Sequence, residues 1–239
     1  MHLERIKLLR DRFPTDEAYP FKLPTLRQTP EIALAQPVTF FVGENGTGKS
    51  TVLEALARRC NIHIWREVDG ARVAHNKYEQ TLHYYLELTW RNGVVPGSFF
   101  ASQIFRHFSR ALDEWAAADP GLLDYFGGQS LMTQSHGQSL MSFFRNRFNI
   151  KGLYLLDEPE TALSARTQVE LLKLLSKISQ AGHAQFIVAT HSPILLACPG
   201  ATIYSFDSAP VHQLAYEDTD HYRIYREFLN HPQAFLGQE

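Results

Sequence analysis

The chain has 239 residues, and its 23 basic and 25 acidic side chains give a formal net charge of −2. Hydrophobic residues make up 44% of the chain and charged residues 20%, a balance that is ordinary for a globular protein and excludes intrinsic disorder and collagen-like repeats. The near-neutral charge excludes a global positive field that would attract nucleic acid or an anionic membrane, although it leaves room for a local basic patch. A chain of this length is expected to form one or two domains with a buried core.

Targeting and redox signals are weak. Cys60 and Cys198 lie far apart and outside any CxxC pattern, so we expect two reduced thiols. Charged and aliphatic residues alternate over the first 15 residues, so no signal peptide is predicted. Residues 181–206 lack Lys, Arg, Asp and Glu, yet they contain two prolines, two glycines and two histidines, which favour a strand, a turn and a short helix over a membrane span. The sequence therefore predicts a cytoplasmic protein without a transmembrane segment.

Strands and one helix are predicted in the first part of the chain. Residues 3–13 are a candidate first strand, and five prolines between residues 14 and 37 predict an extended surface segment. The β-branched and aromatic run Val38–Val42 predicts a buried strand, and helical spacing of apolar residues predicts a helix over Ser50–Cys60. Alternating hydrophobic residues predict strands within Arg72–Trp90.

The second part of the chain alternates between helices and short apolar strands. A hydrophobic stripe predicts a helix over Phe99–Ala117, and the Gly-, Gln- and Ser-rich residues 119–139 predict mainly loop. The remaining predicted elements are a helix at 140–148, a strand at 153–156, a helix at 168–178, a strand at 186–189, a hairpin of strands at 203–206 and 211–216, and a closing helix at 222–229. Continuous apolar strands separated by helices indicate an α/β fold with a parallel sheet covered on both faces.

The sequence GENGTGKS at residues 43–50 matches the G-x-x-x-x-G-K-[ST] pattern, follows a predicted strand and begins a predicted helix. Gly46 and Gly48 allow backbone N–H groups to converge on phosphate oxygens, and the helix N-terminus favours negative charge. Lys49 supplies a positive charge for the β- and γ-phosphates, and Ser50 supplies a hydroxyl for Mg²⁺. The predicted ATP contacts in this loop are Gly43, Glu44, Asn45, Gly46, Thr47, Gly48, Lys49, Ser50 and Thr51.

The predicted strand Leu153–Leu156 leads directly into two carboxylates, Asp157 and Glu158. At the carboxyl end of a parallel sheet, beside the phosphate loop, Asp157 can hold Mg²⁺ through water. Glu158 can then polarise a water molecule for attack on the γ-phosphate. An acidic turn before Pro159 is the alternative interpretation, and the phosphate loop upstream favours the magnesium site.

Three further segments follow in a defined order: SHGQS at Ser135–Ser139, EPETAL at Glu158–Leu163, and His191 after FIVAT. Together with the phosphate loop and the acidic strand, this order resembles the ATP-binding-cassette (ABC) superfamily of P-loop ATPases over roughly residues 36–200. The SHGQS and DEPE segments look most like a compact soluble branch of AAA-type predicted ATPases allied to SMC heads.

The resemblance implies an ABC-type fold and a domain plan. It implies a P-loop NTPase core, in which helices flank a mostly parallel sheet, together with an antiparallel β region and a small helical signature subdomain. A single domain would cover residues 1–239, with the nucleotide-binding core at about 1–95 and 150–239 and the helical signature insert at about 96–149.

The resemblance also implies roles for residues outside the phosphate loop. Ser135, Gly137 and Gln138 match the signature residues that, in this family, contact the γ-phosphate of ATP bound by the opposite subunit. His191 matches the switch histidine, which bonds the γ-phosphate and orients the attacking water. Gln103 is the candidate for the glutamine that touches Mg²⁺, and a glutamine on a helix surface is the alternative.

Two positions depart from the family pattern. His136 stands where most transporters have glycine, and Ser164 stands where many cassette proteins have the D-loop aspartate. The fine geometry of the signature and the communication across a dimer are therefore expected to differ from the common pattern. Phe13, Tyr19 and Phe21 are candidates for stacking on adenine, and packing in the proline-rich segment explains each of them equally well.

The function implied by the resemblance is that of a soluble ATPase, which hydrolyses ATP at composite sites of a homodimer formed on ATP binding. The implied catalytic residues are Glu158, His191 and Lys49, and the implied Mg²⁺ contacts are Ser50, Asp157 and Gln103. The cycle would act on a partner protein or a nucleic acid. One open alternative is the ATP-binding subunit of an ABC transporter, which the spacing of about 84 residues between phosphate loop and signature also fits. A P-loop kinase for a small molecule is a minor alternative, because a kinase has no use for the signature.

Overall fold

Two β-sheets form the framework of the computed structural model, which describes residues 1–65, 76–119, 121, 123–124, 128, 130, 132 and 136–236, apart from the side chains of residues 103, 106, 107 and 136. The strands in the described part are β1 (Leu3–Leu8), β2 (Glu31–Ala33), β3 (Val38–Val42), β4 (Leu86–Trp90), β5 (Gly97–Ala101), β6 (Gly152–Asp157), β7 (Ala184–Ala189), β8 (Thr202–Ser205) and β9 (His212–Leu214). The α-helices there are α1 (Pro24–Gln28), α2 (Lys49–Arg59), α3 (Ser102–Ala116), α4 (His136–Arg147), α5 (Ala165–Gln180), α6 (Pro193–Leu196), α7 (Asp220–Asn230) and α8 (Pro232–Phe235).

The larger sheet has six strands in the order β5–β6–β7–β3–β8–β9. Its first five strands are parallel, and β9 pairs antiparallel with β8 at one edge. The smaller sheet has the order β2–β1–β4 and is antiparallel throughout. The expected α/β class, with a mostly parallel sheet and an antiparallel β region, is confirmed.

The central strands β3 and β7 are buried along their whole length because the larger sheet is covered on both faces. Successive side chains of a strand point to opposite faces, so Phe40 and Phe41 enter two different cores. The Phe40 core contains helices α3 to α6, and the Phe41 core contains helix α2 and the antiparallel sheet. In the first core Phe186 is fully buried and its ring lies 4.9 Å from Phe148 and 5.4 Å from Tyr154.

The structure corrects several of the expected elements. The helix expected over 99–117 begins at Ser102, because Phe99 and Phe100 belong to β5 and are buried on opposite faces of the sheet. Their hydrophobic side chains continue the stripe of the helix in sequence, which hides the boundary. The surface segment 14–37 is not extended throughout, since it contains the helix α1, with Pro24 at the first helical position.

The strands expected within Arg72–Trp90 are wrong in part. Residues 72–75 lie outside the described residues, and Leu82–Tyr85 forms a 3₁₀ helix ahead of strand β4. Leu82 and Leu86 are buried, whereas Tyr84 is 69% exposed, so the three do not share one side. The spacing of four residues between Leu82 and Leu86 is also compatible with a helical turn. In the structure Leu82–Tyr85 forms such a turn, and strand β4 begins only at Leu86.

The division into a core and a helical insert at 96–149 stays a prediction. Strand β5, at the start of that insert, belongs to the larger sheet, and α4 begins at His136, ahead of the expected 140. Among the helices of the described residues, none has the length and apolar character needed to cross a bilayer.

Candidate active site

Three neighbouring strands bring the candidate residues to one edge of the larger sheet. The phosphate loop follows β3, Asp157 ends β6, and His191 follows β7, which lies between the other two strands. Pairing of Ala189 with both Phe41 and Asp157 sets the three strand ends level. In open α/β sheets, ligands bind at the carboxyl ends of the strands, which is where these candidate residues lie.

The phosphate loop is built on three glycines with positive φ. Gly43, Gly46 and Gly48 have φ angles of 139°, 83° and 106°, which residues other than glycine rarely adopt. A Cβ on Gly43 would lie 3.0 Å from Oδ1 of Asp207. The same oxygen accepts the backbone N–H of Glu44 at 2.7 Å, so Asp207, which follows β8, holds the first turn of the loop.

Lys49 is prepositioned inside this loop. Its side chain is buried, and its Nζ donates to the carbonyl oxygens of Gly43 at 2.5 Å and Glu44 at 2.9 Å. Burial lowers the pKa of Lys49, and the nearby carboxylates, led by Glu158, oppose that shift. The ammonium group is therefore held at the loop before any phosphate binds, which reduces the ordering cost of binding.

Ser50 and Asp157 form the pair that is best suited to Mg²⁺. The Ser50 hydroxyl donates to Oδ1 of Asp157 at 2.9 Å. Burial raises the pKa of Asp157 to about 6, and the neighbouring carboxylates of Glu158 and Glu54 add to the rise. Within the described residues no group of three or more His, Cys, Asp or Glu side chains could hold a metal ion. This donor set fits Mg²⁺, which commonly takes one or two protein oxygens together with phosphate oxygens and water.

Glu158 has a left-handed backbone conformation, with φ 46° and ψ 55°. Its carbonyl oxygen accepts the Ser102 hydroxyl at 2.6 Å and the Thr161 hydroxyl at 3.1 Å, and its N–H donates to Ala189 O at 2.9 Å. Such conformations are uncommon for residues other than glycine and persist where the surroundings hold them. The position of the carboxylate is therefore set by a well-restrained backbone.

His191 contacts acidic groups through both its backbone and its ring. The backbone N–H donates to Oε1 of Glu160 at 2.6 Å, and Nε2 lies 3.6 Å from Oε1 of Glu158. On the other side of the ring, Nδ1 lies 3.1 Å from Nε2 of His221. Burial lowers the pKa of His191, and the positive charge of Lys49 lowers it further.

A cleft of about 260 Å³ adjoins this cluster and is lined by Ser50, Asp157, Glu158 and Ser102, among others. Ser102 precedes Gln103, whose side chain lies outside the described part, so its contact with Mg²⁺ stays a prediction.

The predicted signature lies only partly within the described residues. Ser135 also falls outside the described residues, and so does the side chain of His136. Gly137 and the exposed Gln138 lie in the first turn of α4, where a Cβ on Gly137 would be 3.7 Å from Ala162 O. The contact of these residues with a second subunit's ATP therefore stays a prediction.

The three aromatic candidates for adenine stacking have different surroundings. Phe21 is fully buried and packs at 4.8 Å from Phe13, so its ring is part of the core. Phe13 also lines a groove with Arg10 and Arg27. The Tyr19 hydroxyl is hydrogen-bonded to Thr51, the last residue of the predicted ATP contacts, which makes Tyr19 the candidate attached to the loop.

The amino-acid sequence of this chain is similar to those of known ATP-binding proteins. One family model, described as "AAA domain, putative AbiEii toxin, Type IV TA system", matches residues 140–197, and another, described as "AAA domain", matches residues 22–58. The ferric enterobactin transport ATP-binding protein FepC of Escherichia coli (strain K12) is 27% identical over 159 residues, which cover 59% of this chain and 58% of FepC. The aliphatic sulfonates import ATP-binding protein SsuB of Mycobacterium avium (strain 104) is 29% identical over 187 residues, 74% of this chain and 70% of SsuB. The match thus spans less than two thirds of FepC.

Two solved structures share the fold. The cbiO1 protein from Clostridium perfringens, part of the ABC transporter complex cbiONQ, gives a TM-score of 0.52 at 15% identity and covers 96% of each chain. An SmcHead bound to the C-winged helix domain of ScpA gives a TM-score of 0.55 at 13% identity, covering 91% of this chain and 99% of the SmcHead. Together these likenesses in sequence and fold support an ABC-type P-loop ATPase.

Three further residues of this site were not predicted from the sequence. Asp207 holds the phosphate loop, Glu160 holds the backbone of His191, and His221 contacts the His191 ring. Glu160 carries a signal in the sequence, since it stands in DEPE where transporters have DEPT. Asp207 follows a predicted strand, as Asp157 does, and His221 carries no local signal at all.

The substitution Asp157→Asn is expected to raise the free energy of unfolding at pH 7 by about 1–2 kcal/mol in the absence of nucleotide. An upward-shifted pKa means that the folded chain binds the proton more tightly than the unfolded chain, so the ionised carboxylate costs stability above pH 6. Asparagine keeps the acceptor for Ser50 and removes the charge. Thermal unfolding measures the gain.

The stability gain from Asp157→Asn should shrink as the pH falls from 7 towards 4, because the wild-type carboxyl group then becomes protonated. Asp16→Asn is the matched control, since the side chain of Asp16 is 67% exposed. A less stable Asp157→Asn variant at pH 7 would contradict the burial argument.

Proposed function

We propose that this chain hydrolyses ATP at two composite sites, formed when two copies associate head to tail around two ATP molecules. The observation that carries the proposal is the convergence of four groups at one sheet edge. Ser50 bonds Asp157 at 2.9 Å, and His191 lies 3.6 Å from Glu158. The cycle would drive a partner protein or a nucleic acid, and because it consumes ATP we place it in the cytoplasm.

The proposed chemistry is the transfer of the γ-phosphoryl group to water. Glu158 accepts a proton from the attacking water, and the oxygen of that water bonds to the γ-phosphorus. The bond between the γ-phosphorus and the bridging oxygen breaks at the same time, and ADP leaves. Lys49 neutralises charge on the phosphates, and His191 donates to a γ-phosphate oxygen. Mg²⁺, held by Ser50 and Asp157, would offset the negative charge of the β- and γ-phosphates.

Two separate helix N-termini support the two-chain site. The phosphate loop leads into α2, and the predicted signature lies at the start of α4, with Gly137 beside Ala162. Each helix N-terminus favours an anion. In a head-to-tail dimer the γ-phosphate would lie between α2 of one copy and α4 of the other.

Mixing two inactive variants tests this arrangement. Lys49→Ala removes the loop charge, and Gly137→Asp puts a carboxylate at the signature, where a Cβ has room because its nearest neighbour is 3.7 Å away. Each variant alone is expected to release almost no phosphate from Mg-ATP. A mixture should regain activity, because a heterodimer contains one site with an intact loop and an intact signature.

Gly137→Ala, which adds no charge, is the control for the mixing experiment and should retain most of the wild-type rate. A mixture that stays inactive, or a Glu158→Gln variant that stays monomeric with Mg-ATP in light scattering, would rule out the composite site.

A second candidate function is that of an ATP-binding subunit of a transporter. The observation in its favour is that FepC and SsuB, which share 27% and 29% identity with this chain, are transport ATP-binding proteins. Affinity purification of the Glu158→Gln variant with Mg-ATP separates the two functions. A multi-span membrane protein in the eluate would favour transport, whereas nuclease-sensitive nucleic acid or a non-membrane protein would favour the first proposal. The SmcHead bound to a ScpA domain supports a protein partner.

A further inference from the structure

His191 and His221 are placed so that the two ring nitrogens of His191 face different groups. Nδ1 lies 3.1 Å from Nε2 of His221, and Nε2 lies 3.6 Å from Oε1 of Glu158. The Nε2 atom is buried and makes no hydrogen bond within the described part of the chain. One nitrogen is thus engaged by a neighbouring imidazole, while the other is directed towards the carboxylate.

The chemistry of imidazole assigns the protons in this arrangement. A neutral imidazole has one N–H donor and one acceptor nitrogen, and an ionised carboxylate only accepts. A lone pair on Nε2 of His191 would face the lone pairs of Glu158, so the N–H belongs on Nε2. Nδ1 is then an acceptor, and Nε2–H of His221 is the donor that reaches it.

Charge favours two neutral rings. Burial lowers the pKa of both histidines, and His191 lowers that of His221 further. Lys49 also lowers both pKa values, whereas Glu44 and Asp207 raise both and Glu158 raises that of His191. Two neutral rings can share one N–H···N bond, whereas two imidazolium rings would have no acceptor between them.

The start of α7 holds His221 in place. Thr219 caps this helix by accepting the N–H of Tyr222 at 3.2 Å, and it is itself almost fully buried. The Tyr216 hydroxyl donates at 2.9 Å to the carbonyl oxygen of Pro193, two residues after His191. The segment that carries His221 is therefore attached to the turn that carries His191, which fixes the distance between the two rings.

We propose that His221 is a positioning residue for ATP hydrolysis, whose Nε2–H donates to Nδ1 of His191 and holds His191 as the Nε2–H tautomer. In that tautomer the Nε2–H of His191 faces the carboxylate of Glu158. His221 contacts neither water nor phosphate in this role, and it acts only through His191. The inference rests on the proposed ATPase function for its consequence, but its geometry does not depend on hydrolysis.

Nitrogen-15 NMR of the histidine rings tests the tautomer without any ATP turnover. His191 is assigned by comparison with His191→Gln, and its wild-type Nε2 is expected to have the shift of a protonated nitrogen and Nδ1 that of an acceptor. In His221→Leu, which has no donor at this position, the nitrogen-15 chemical shift of His191 Nδ1 is expected to move away from that of a hydrogen-bonded acceptor. A wild-type His191 that is protonated on Nδ1 would overturn the proposal directly.

Steady-state hydrolysis tests the consequence. His221→Leu is expected to lower kcat by about tenfold to a hundredfold with little change in KM, as for the loss of a group that orients a histidine. His221→Gln should recover much of the rate, because its amide can donate to Nδ1. His231→Gln, an exposed histidine just after α7, is the matched control and should behave as wild type.

The positioning role and the proposed ATPase function can be contradicted independently. A His221→Leu variant with the wild-type kcat, or a His221→Gln variant as slow as His221→Leu, would overturn the positioning role. If the wild-type chain hydrolysed no ATP, the proposed function would fail, while the ring nitrogen shifts would still decide whether His221 donates to His191.

Discussion

Replacing Glu158 by glutamine is expected to slow ATP hydrolysis by about a hundredfold to a thousandfold while ATP binding stays close to wild type. Glutamine has nearly the same shape but cannot accept the proton of the attacking water. The carboxylate lies beside His191 at 3.6 Å, and its backbone is held by Ser102, Thr161 and Ala189, so the variant should keep the local structure. Release of inorganic phosphate under saturating Mg-ATP gives the rate.

Light scattering adds a second readout for Glu158→Gln. Slow hydrolysis should trap the dimer, so the variant is expected to double its mass with Mg-ATP and to stay monomeric with Mg-ADP. Glu87→Gln is the control, since that side chain is 56% exposed and lies on the antiparallel sheet. Hydrolysis at the wild-type rate would show that Glu158 is not the base.

Lys49→Ala is expected to weaken ATP binding by about a hundredfold. The variant loses the charge that meets the phosphates, and it also leaves the carbonyl oxygens of Gly43 and Glu44 without the donor that now satisfies them at 2.5 and 2.9 Å. The phosphate loop should therefore become less ordered as well as less positive. Calorimetric titration with a non-hydrolysable ATP analogue and Mg²⁺ measures the affinity.

Lys7→Ala is the matched control for Lys49→Ala, because the side chain of Lys7 is 49% exposed and only approaches Glu87. It should bind the analogue as wild type does. Wild-type affinity in a correctly folded Lys49→Ala variant would exclude the loop as the phosphate site.

The central strands were predictable because burial on both faces leaves a continuous apolar run. Val38–Val42, Leu153–Leu156 and Phe186–Ala189 all lie in strands of the parallel sheet. Their order was not predictable, since parallel neighbours are joined by long crossovers and each run looks alike. Strand β5 was missed because Phe99 and Phe100 precede the helical stripe of α3 without a break in hydrophobic character.

The predicted site residues fall into two groups for a similar reason. Local pattern and chain order suffice to find the residues that lie at the end of a strand, just after one or at the start of a helix, namely Lys49, Ser50, Asp157, Glu158 and His191. The contacts of Asp207 with Glu44 and of His221 with His191 join residues 163 and 30 positions apart, and only the tertiary fold creates them. Gln103 and the signature residues stay predictions.

The left-handed backbone of Glu158 limits how this site can change over evolutionary time. Asparagine, aspartate and glycine tolerate that conformation, whereas valine, isoleucine and threonine do not. A substitution to asparagine or glycine would silence hydrolysis and leave the strand end intact, while a β-branched residue would also disturb the loop. A homologue that has lost catalysis but keeps ATP-dependent assembly is therefore expected to have asparagine or glycine at position 158. The identity of that residue would then indicate which of the two properties the homologue retains.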